Sequence, residues 1–213
     1  MGVHCCSHDA KFDGVSSGYK RALWAVIAIN AIMFAVELAA GISAQSKALQ
    51  ADALDFLGDT TTYAISLAVI GMAAHVRAKA AMVKGISLSL MGAWVLGSTL
   101  YQVFAASVPA AEVMGVVGFL ALAANLMSVL LLMKWKDGDA NVRSVWLCSR
   151  NDAIGNVAVL VAASGVWATN TGWPDLAVAG LMATLFLWSS VQIIGQARRE
   201  ISESSLVAAE RAH

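Results

Sequence analysis

The chain has 213 residues, 59% apolar and only 13% charged, with a formal net charge of zero. Soluble globular domains are about 25% charged, so the composition excludes a soluble domain and leaves a membrane protein with little outside its spans. The zero net charge removes any global basic signal for nucleic acid. Cys5, Cys6 and Cys148, two of them adjacent, make a poor disulfide framework.

The first stretch, MGVHCCSHDAKFDGVSSGYK, is polar and lacks an apolar h-region, so residues 1–20 read as an N-terminal tail rather than a signal peptide. Position 6 is Cys where the myristoylation pattern wants Ser or Thr. The tail carries His4, Cys5, Cys6 and His8, imidazoles and thiols of the kind that capture soft metals; the plain alternative is a disordered tail with chance residues. Roughly 20 apolar residues cross the hydrocarbon core. Such runs predict spans at 21–43, 49–72, 82–106, 112–134, 144–168 and 175–196, followed by a short tail, 197–213. The expected fold is therefore an all-α membrane protein, a six-transmembrane-helix bundle over residues 21–196.

Lys and Arg set the orientation. Lys11, Lys20, Arg21, Arg77, Lys79, Lys84, Lys134, Lys136, Arg143, Arg198, Arg199 and Arg211 fall on one side. The other side has Lys47 alone, with Arg150 inside the fifth span. Both termini are expected in the cytoplasm.

The second span contradicts its own hydrophobicity: ADALDFLGDTTTYAISLAVIGM holds Asp52, Asp55 and Asp59. A carboxylate near the bilayer centre costs roughly 2.5–3.5 kcal/mol. At helical spacing these three, with Thr62 and Ser66, lie within about 80° of one another. A single polar stripe must face the bundle interior or a water-filled cavity. The fifth span, in NVRSVWLCSRNDAIGNVAVL, has a matching face of Ser144, Cys148, Asn151, Asp152 and Gly155. Asp55 and Asp59 are one helical turn apart, as are Cys148 and Asp152. Two facing helices with one such pair each can close four ligands around an ion.

Carboxylate and thiolate ligands suit a divalent metal; four-coordination suits Zn²⁺, and one sulfur moves the preference toward Zn²⁺ or Cd²⁺. When metal leaves, the carboxylates should take up protons, the chemical core of an antiporter. Cys148 by itself would be a small buried hydrophobe; its spacing to Asp152 makes it a ligand candidate. Asp52, near the outer end, is placed either on an access path or at the metal. Thr62, Asn151 and Glu37 are further candidates for a path or a supporting role, Glu37 as an ion-pair partner or a protonated carboxyl. Arg150, on the far face of the fifth helix, is expected to snorkel or to pair with a buried carboxylate such as Glu37. Gly85, Gly92 and Gly97 permit close helix approach, in a homodimer seam or within the bundle.

These residues resemble the cation diffusion facilitator (cation efflux) family, whose metal site pairs [His/Asp]-x-x-x-Asp on the second helix with His-x-x-x-Asp on the fifth. SKALQADALDFLGD resembles the start of that second helix, and ANVRSVWLCSRNDAIGNVAVL the approach to the fifth. Lesser echoes are Asn30, Glu37 and Gly41 in NAIMFAVELAAG, Asn125 in AANLMSVLL, and WPDLAVAGLMA. The resemblance implies a six-helix transmembrane domain with ligands Asp55, Asp59, Cys148 and Asp152, exporting Zn²⁺ (or Cd²⁺ or Co²⁺) from the cytoplasm against protons. It implies a transporter rather than an enzyme, with the metal as substrate and no cofactor.

Two departures matter. The family's fifth-helix His is Cys148, which softens the site. The sequence also ends seventeen residues after the last predicted span, which closes at 196 of 213. Family members usually continue into a cytoplasmic ferredoxin-like domain, so the expected match is the transmembrane domain without the usual cytoplasmic route to regulation and dimerisation. Short loops and the lack of a targeting peptide point to a bacterial inner membrane. Two other classes compete. One is a non-transporting metal-binding or metal-sensing membrane protein. The other is an intramembrane aspartyl protease, disfavoured because Phe56 stands where its Gly-x-Gly-Asp needs glycine and Asn151, not Tyr, precedes Asp152.

Overall fold

The computed structural model describes residues 16–69, 72, 74–105, 107–137 and 140–210. They form six α-helices: α1 (Ser17–Ser43), α2 (Lys47–Ala68), α3 (Ala74–Ala105), α4 (Ala111–Leu132), α5 (Ala140–Thr169) and α6 (Trp173–Glu210), with a 3₁₀ turn at Met133–Trp135. No strand occurs among the described residues.

Local chemistry sets several helix boundaries. Ser16 caps α1, its hydroxyl accepting from the Tyr19 N–H at 3.2 Å. α1 ends where Gln45 turns left-handed (φ 55°), letting the Ser46 N–H return to the Gly41 carbonyl at 2.9 Å. Asn170 does the same for α5 at φ 52°. α2 stops at Ala68, short of the expected 72. α6 runs on to Glu210, so most of the stretch expected to be a short tail continues the last helix.

Five helices contain segments long and apolar enough to cross a membrane: Ser17–Ser43, Ala78–Ala105, Ala111–Trp135, Ser149–Thr169 and Trp173–Ser202. α2, at 22 residues, is long enough, but Asp52, Asp55 and Asp59 keep it from being apolar enough. Large apolar side chains such as Trp94, Phe104, Trp167 and Trp188 project outward, while Asn30, Glu37, Asp52, Asn125 and Asn156 are buried. Greasy outside and polar inside is the arrangement a bilayer solvent requires.

α1 packs on α2, α4 on α5 and α3 on α6, and α2 also meets α3, α5 and α6. The helix that carries the three aspartates thus meets four others. Tyr19, Leu23, Val26, Tyr63, Leu132 and Val145 pack one end of the bundle. Leu49, Met114, Val117, Val159 and Val166 pack the other. The α3–α6 seam uses two of the singled-out glycines. A Cβ at Gly85 would stand 2.6 Å from Ile194 Cγ1, and one at Gly92 would stand 2.9 Å from Leu187 Cγ. Both are therefore committed to packing within the chain. Gly97 meets nothing within 4 Å.

Candidate metal centre

α2 carries the acidic stripe, and its start is tied down completely. The Lys47 N–H donates to Asp175 Oδ2 at 2.7 Å and the Ala48 N–H to Asp175 Oδ1 at 3.1 Å. The Leu49 N–H donates to Ser46 Oγ at 3.0 Å, and the Gln50 N–H to the Ser46 carbonyl at 3.3 Å. Ser46 Oγ in turn donates to Asp175 Oδ1 at 2.6 Å. Every N–H of the first turn has a partner, two of them a carboxylate placed where the helix dipole favours negative charge.

One turn further along, Asp52 is 1% exposed. Asn156 on α5 donates to its Oδ2 at 2.6 Å, and Asn125 on α4 donates to Asn156 Oδ1 at 2.7 Å. Glu37 on α1, fully buried, faces the Asp52 carboxyl. Four helices thus contribute one polar residue each to a closed layer. Asp52 does not line a water-accessible path here, as its position near the helix end had suggested. Glu37 does not pair with Arg150, which is exposed; its neighbour is another carboxyl, and two facing carboxyls hydrogen-bond only by sharing a proton.

Asp55 and Asp59, half-buried, both come within hydrogen-bonding range of Asp152 on α5. The Tyr63 hydroxyl, fully buried, donates to Asp59 Oδ2 and lies 3.4 Å from Ser149 Oγ and 3.5 Å from the Val145 carbonyl. Three of the four expected ligands therefore meet across the α2–α5 contact. The meeting is pairwise: among the described residues, no three His, Cys, Asp or Glu side chains are gathered as a ready metal cluster. Cys148 belongs to α5, one turn before Asp152, but its side chain lies outside the described residues, as do His4, Cys5, Cys6 and His8.

One expectation for α5 fails, and of the two alternatives for Arg150 the buried pair does not form. Asn151 is exposed rather than on the stripe, its Oδ1 accepting from Arg150 Nη2 at 3.3 Å. Arg150 is also exposed and lies 5.5 Å from the Trp146 ring centroid, a cation–π contact instead of a buried ion pair. The buried polar face of α5 runs through Ser149 and Asn156. Thr62 stays half-buried on the α2 stripe, and Ser66, beyond it, accepts from Lys84 Nζ of α3 at 3.0 Å.

Tyr63, Asn156, Asn125 and Lys84 were not among the expected site residues. Tyr63 follows Asp59 by one turn and Asn156 follows Asp152 by one turn, so extending each pair by another turn would have found both. Two surface grooves, of about 540 and 460 Å³, are lined by residues other than these carboxylates.

The sequence pattern of the cation efflux transmembrane domain matches residues 23–202. Over 183 residues the chain is 29% identical to the metal cation efflux system protein CzcD of Cupriavidus metallidurans and to the cation efflux system protein CzcD of an Alcaligenes species. The match takes in 80% of this chain and 57% of each relative, so the chain spans little more than half the length of these curated proteins.

Proposed function

The chain belongs to the cation efflux family, and from that premise we propose that it exports a divalent metal cation, Zn²⁺ or else Cd²⁺ or Co²⁺, in exchange for protons. It is an integral membrane protein with five helices apolar enough to cross a bilayer. In this reading α2 is the sixth span, shielded from lipid by its neighbours. Both termini face the cytoplasm, a reading supported by the one-sided placement of Lys and Arg, and the membrane is a bacterial inner membrane.

The observation that carries the reading is the convergence of Asp55 and Asp59 of α2 on Asp152 of α5. Carboxylates paired in low dielectric need protons or a cation between them. Metal arriving from the cytoplasm binds Asp55, Asp59, Cys148 and Asp152 and displaces protons. The helices then shift to open the site outward, and protons returning to the carboxylates release the metal.

The test is metal uptake into proteoliposomes under an imposed pH gradient, offering Zn²⁺, Cd²⁺ and Co²⁺ in turn. Flux should follow the gradient and vanish in Asp59→Ala and Asp152→Ala while both variants remain folded. Metal binding without flux in the native chain would favour a sensing or buffering protein instead, and flux retained by both variants would refute the site.

A further inference from the structure

The acidic stripe of α2 does not run open to the end of its helix. At Ser66, seven residues past Asp59 and on the same face, the Lys84 ammonium of α3 donates to the Ser66 hydroxyl at 3.0 Å. Ser66 is buried and Lys84 half-buried. The charge of Lys84 also acts on the Asp59 carboxylate. A lysine at this depth is costly unless carboxylates repay it. Here its flexible four-carbon stem carries the ammonium across the α2–α3 contact, toward the same carboxylates that are candidates for holding a cation.

We infer that Lys84 is a tethered cation that competes with the metal: its charge partly neutralises the Asp59 end of the site, and its hydrogen bond to Ser66 holds the ammonium back from the carboxylates when a divalent ion binds. This rests on the metal-site reading above and adds to it a residue that sets how tightly the cargo is held. A site closed only by carboxylates and a thiolate would grip a divalent ion strongly and release it slowly. A fixed positive charge nearby weakens that grip without occupying a ligand position. Ser66 is the resting place of the ammonium and so limits how hard it competes.

Two variants should move affinity in opposite directions. Lys84→Met removes the competing charge; a unit charge lost near the Asp59 end of the site, at the effective dielectric of a protein interior, tightens Zn²⁺ binding by at least about tenfold. Ser66→Ala removes the anchor, leaves the ammonium to the carboxylates, and weakens binding by at least about threefold, less than a charged hydrogen bond is worth. Lys84→Arg, which keeps the charge, should restore affinity toward the native value.

The experiment is equilibrium dialysis of the purified full chain in detergent against Zn²⁺, with thermal unfolding of each variant alongside and Asp59→Ala as reference. Tighter binding in Lys84→Met with weaker binding in Ser66→Ala supports the assignment. Native affinity in Lys84→Met, or a change of the same sign in both variants, overturns it while leaving the carboxylate site standing. Equal Zn²⁺ binding by the native chain and Asp59→Ala overturns the site itself, and the role of Lys84 with it. Should Lys84→Met unfold, an unweakened Ser66→Ala still refutes the proposal.

Discussion

Asp175→Ala should destabilise the protein more than any single change outside the carboxylate cluster, although Asp175 touches no candidate ligand. Its side chain is fully buried and accepts from Ser46 Oγ at 2.6 Å, the Lys47 N–H at 2.7 Å and the Ala48 N–H at 3.1 Å. Hydrogen bonds to a charged group are worth about 1.5–3 kcal/mol each, but bonds sharing one acceptor do not add in full. Counted instead as a helix cap, the interaction is worth about 0.5–2 kcal/mol, with up to about 2 kcal/mol more for a carboxylate at the dipole's positive end. The two counts overlap near 3 kcal/mol. At about 2–4 °C per kcal/mol for a chain of this size, Asp175→Ala should melt roughly 10 °C lower in detergent. Asp175→Asn keeps a carbonyl acceptor but loses the charge and should fall about half as far. Circular-dichroism melts on purified protein read both variants. An Asp175→Ala protein melting within about 2 °C of native, no more than the weakest of these terms alone predicts, would refute the view that α2 is held from α6.

The remaining predictions concern the site's support and the α3–α6 seam. Tyr63→Phe deletes the hydroxyl that donates to Asp59; loss of such a supporting bond typically costs 10–100-fold in metal affinity, so Zn²⁺ dialysis should show at least about tenfold weaker binding with an unchanged melt. Gly85→Val places a Cβ 2.6 Å from Ile194 Cγ1 and 3.3 Å from the Ile194 backbone nitrogen. Because backbone yields less readily than side chain, α3 should be pushed off α6 at about 1–3 kcal/mol, seen as faster proteolysis of α6. Native protease resistance in that variant would mean the two helices do not pack at this point.

How much of this was legible depended on where polar residues broke an apolar background. Asp55, Asp59 and Asp152 stood out because a lipid-facing carboxylate is so costly that its position alone signals an interior face. Apolar positions gave no such help: in a membrane, leucine suits core and lipid alike, so the rotation of α5 about its axis was underdetermined. Centring its polar face between Cys148 and Asp152 put Asn151 inside. The burial of Val145, Ser149, Ala153 and Asn156 turns that face onward and leaves Asn151 outside. For Arg150 the sequence left two alternatives open, and the exposed one holds: its partner Trp146 is four residues away on its own helix and needs no buried carboxylate. The contact of Asp175 with α2, more than 120 residues away in sequence, carried no local signal at all.

The contacts of α2 explain how a helix with three carboxylates can belong to a membrane bundle. Its polar positions are met from four neighbouring helices: its first turn by Asp175 of α6, Asp52 by Asn156 of α5 beside Glu37 of α1, Asp59 by Asp152 of α5, and Ser66 by Lys84 of α3. Alone in lipid none of these groups would be satisfied, so α2 is stable in the bilayer only as part of the assembled bundle. The same dependence makes it the natural moving part. Its two ends are held by contacts that no metal need disturb, whereas the middle, at Asp55 and Asp59, rests on carboxyl pairs whose attraction reverses when protons leave. In the proposed mechanism an ion bound there replaces shared protons as the link between α2 and α5, so loading and unloading the site changes the force between two helices while the anchors at either end stay in place.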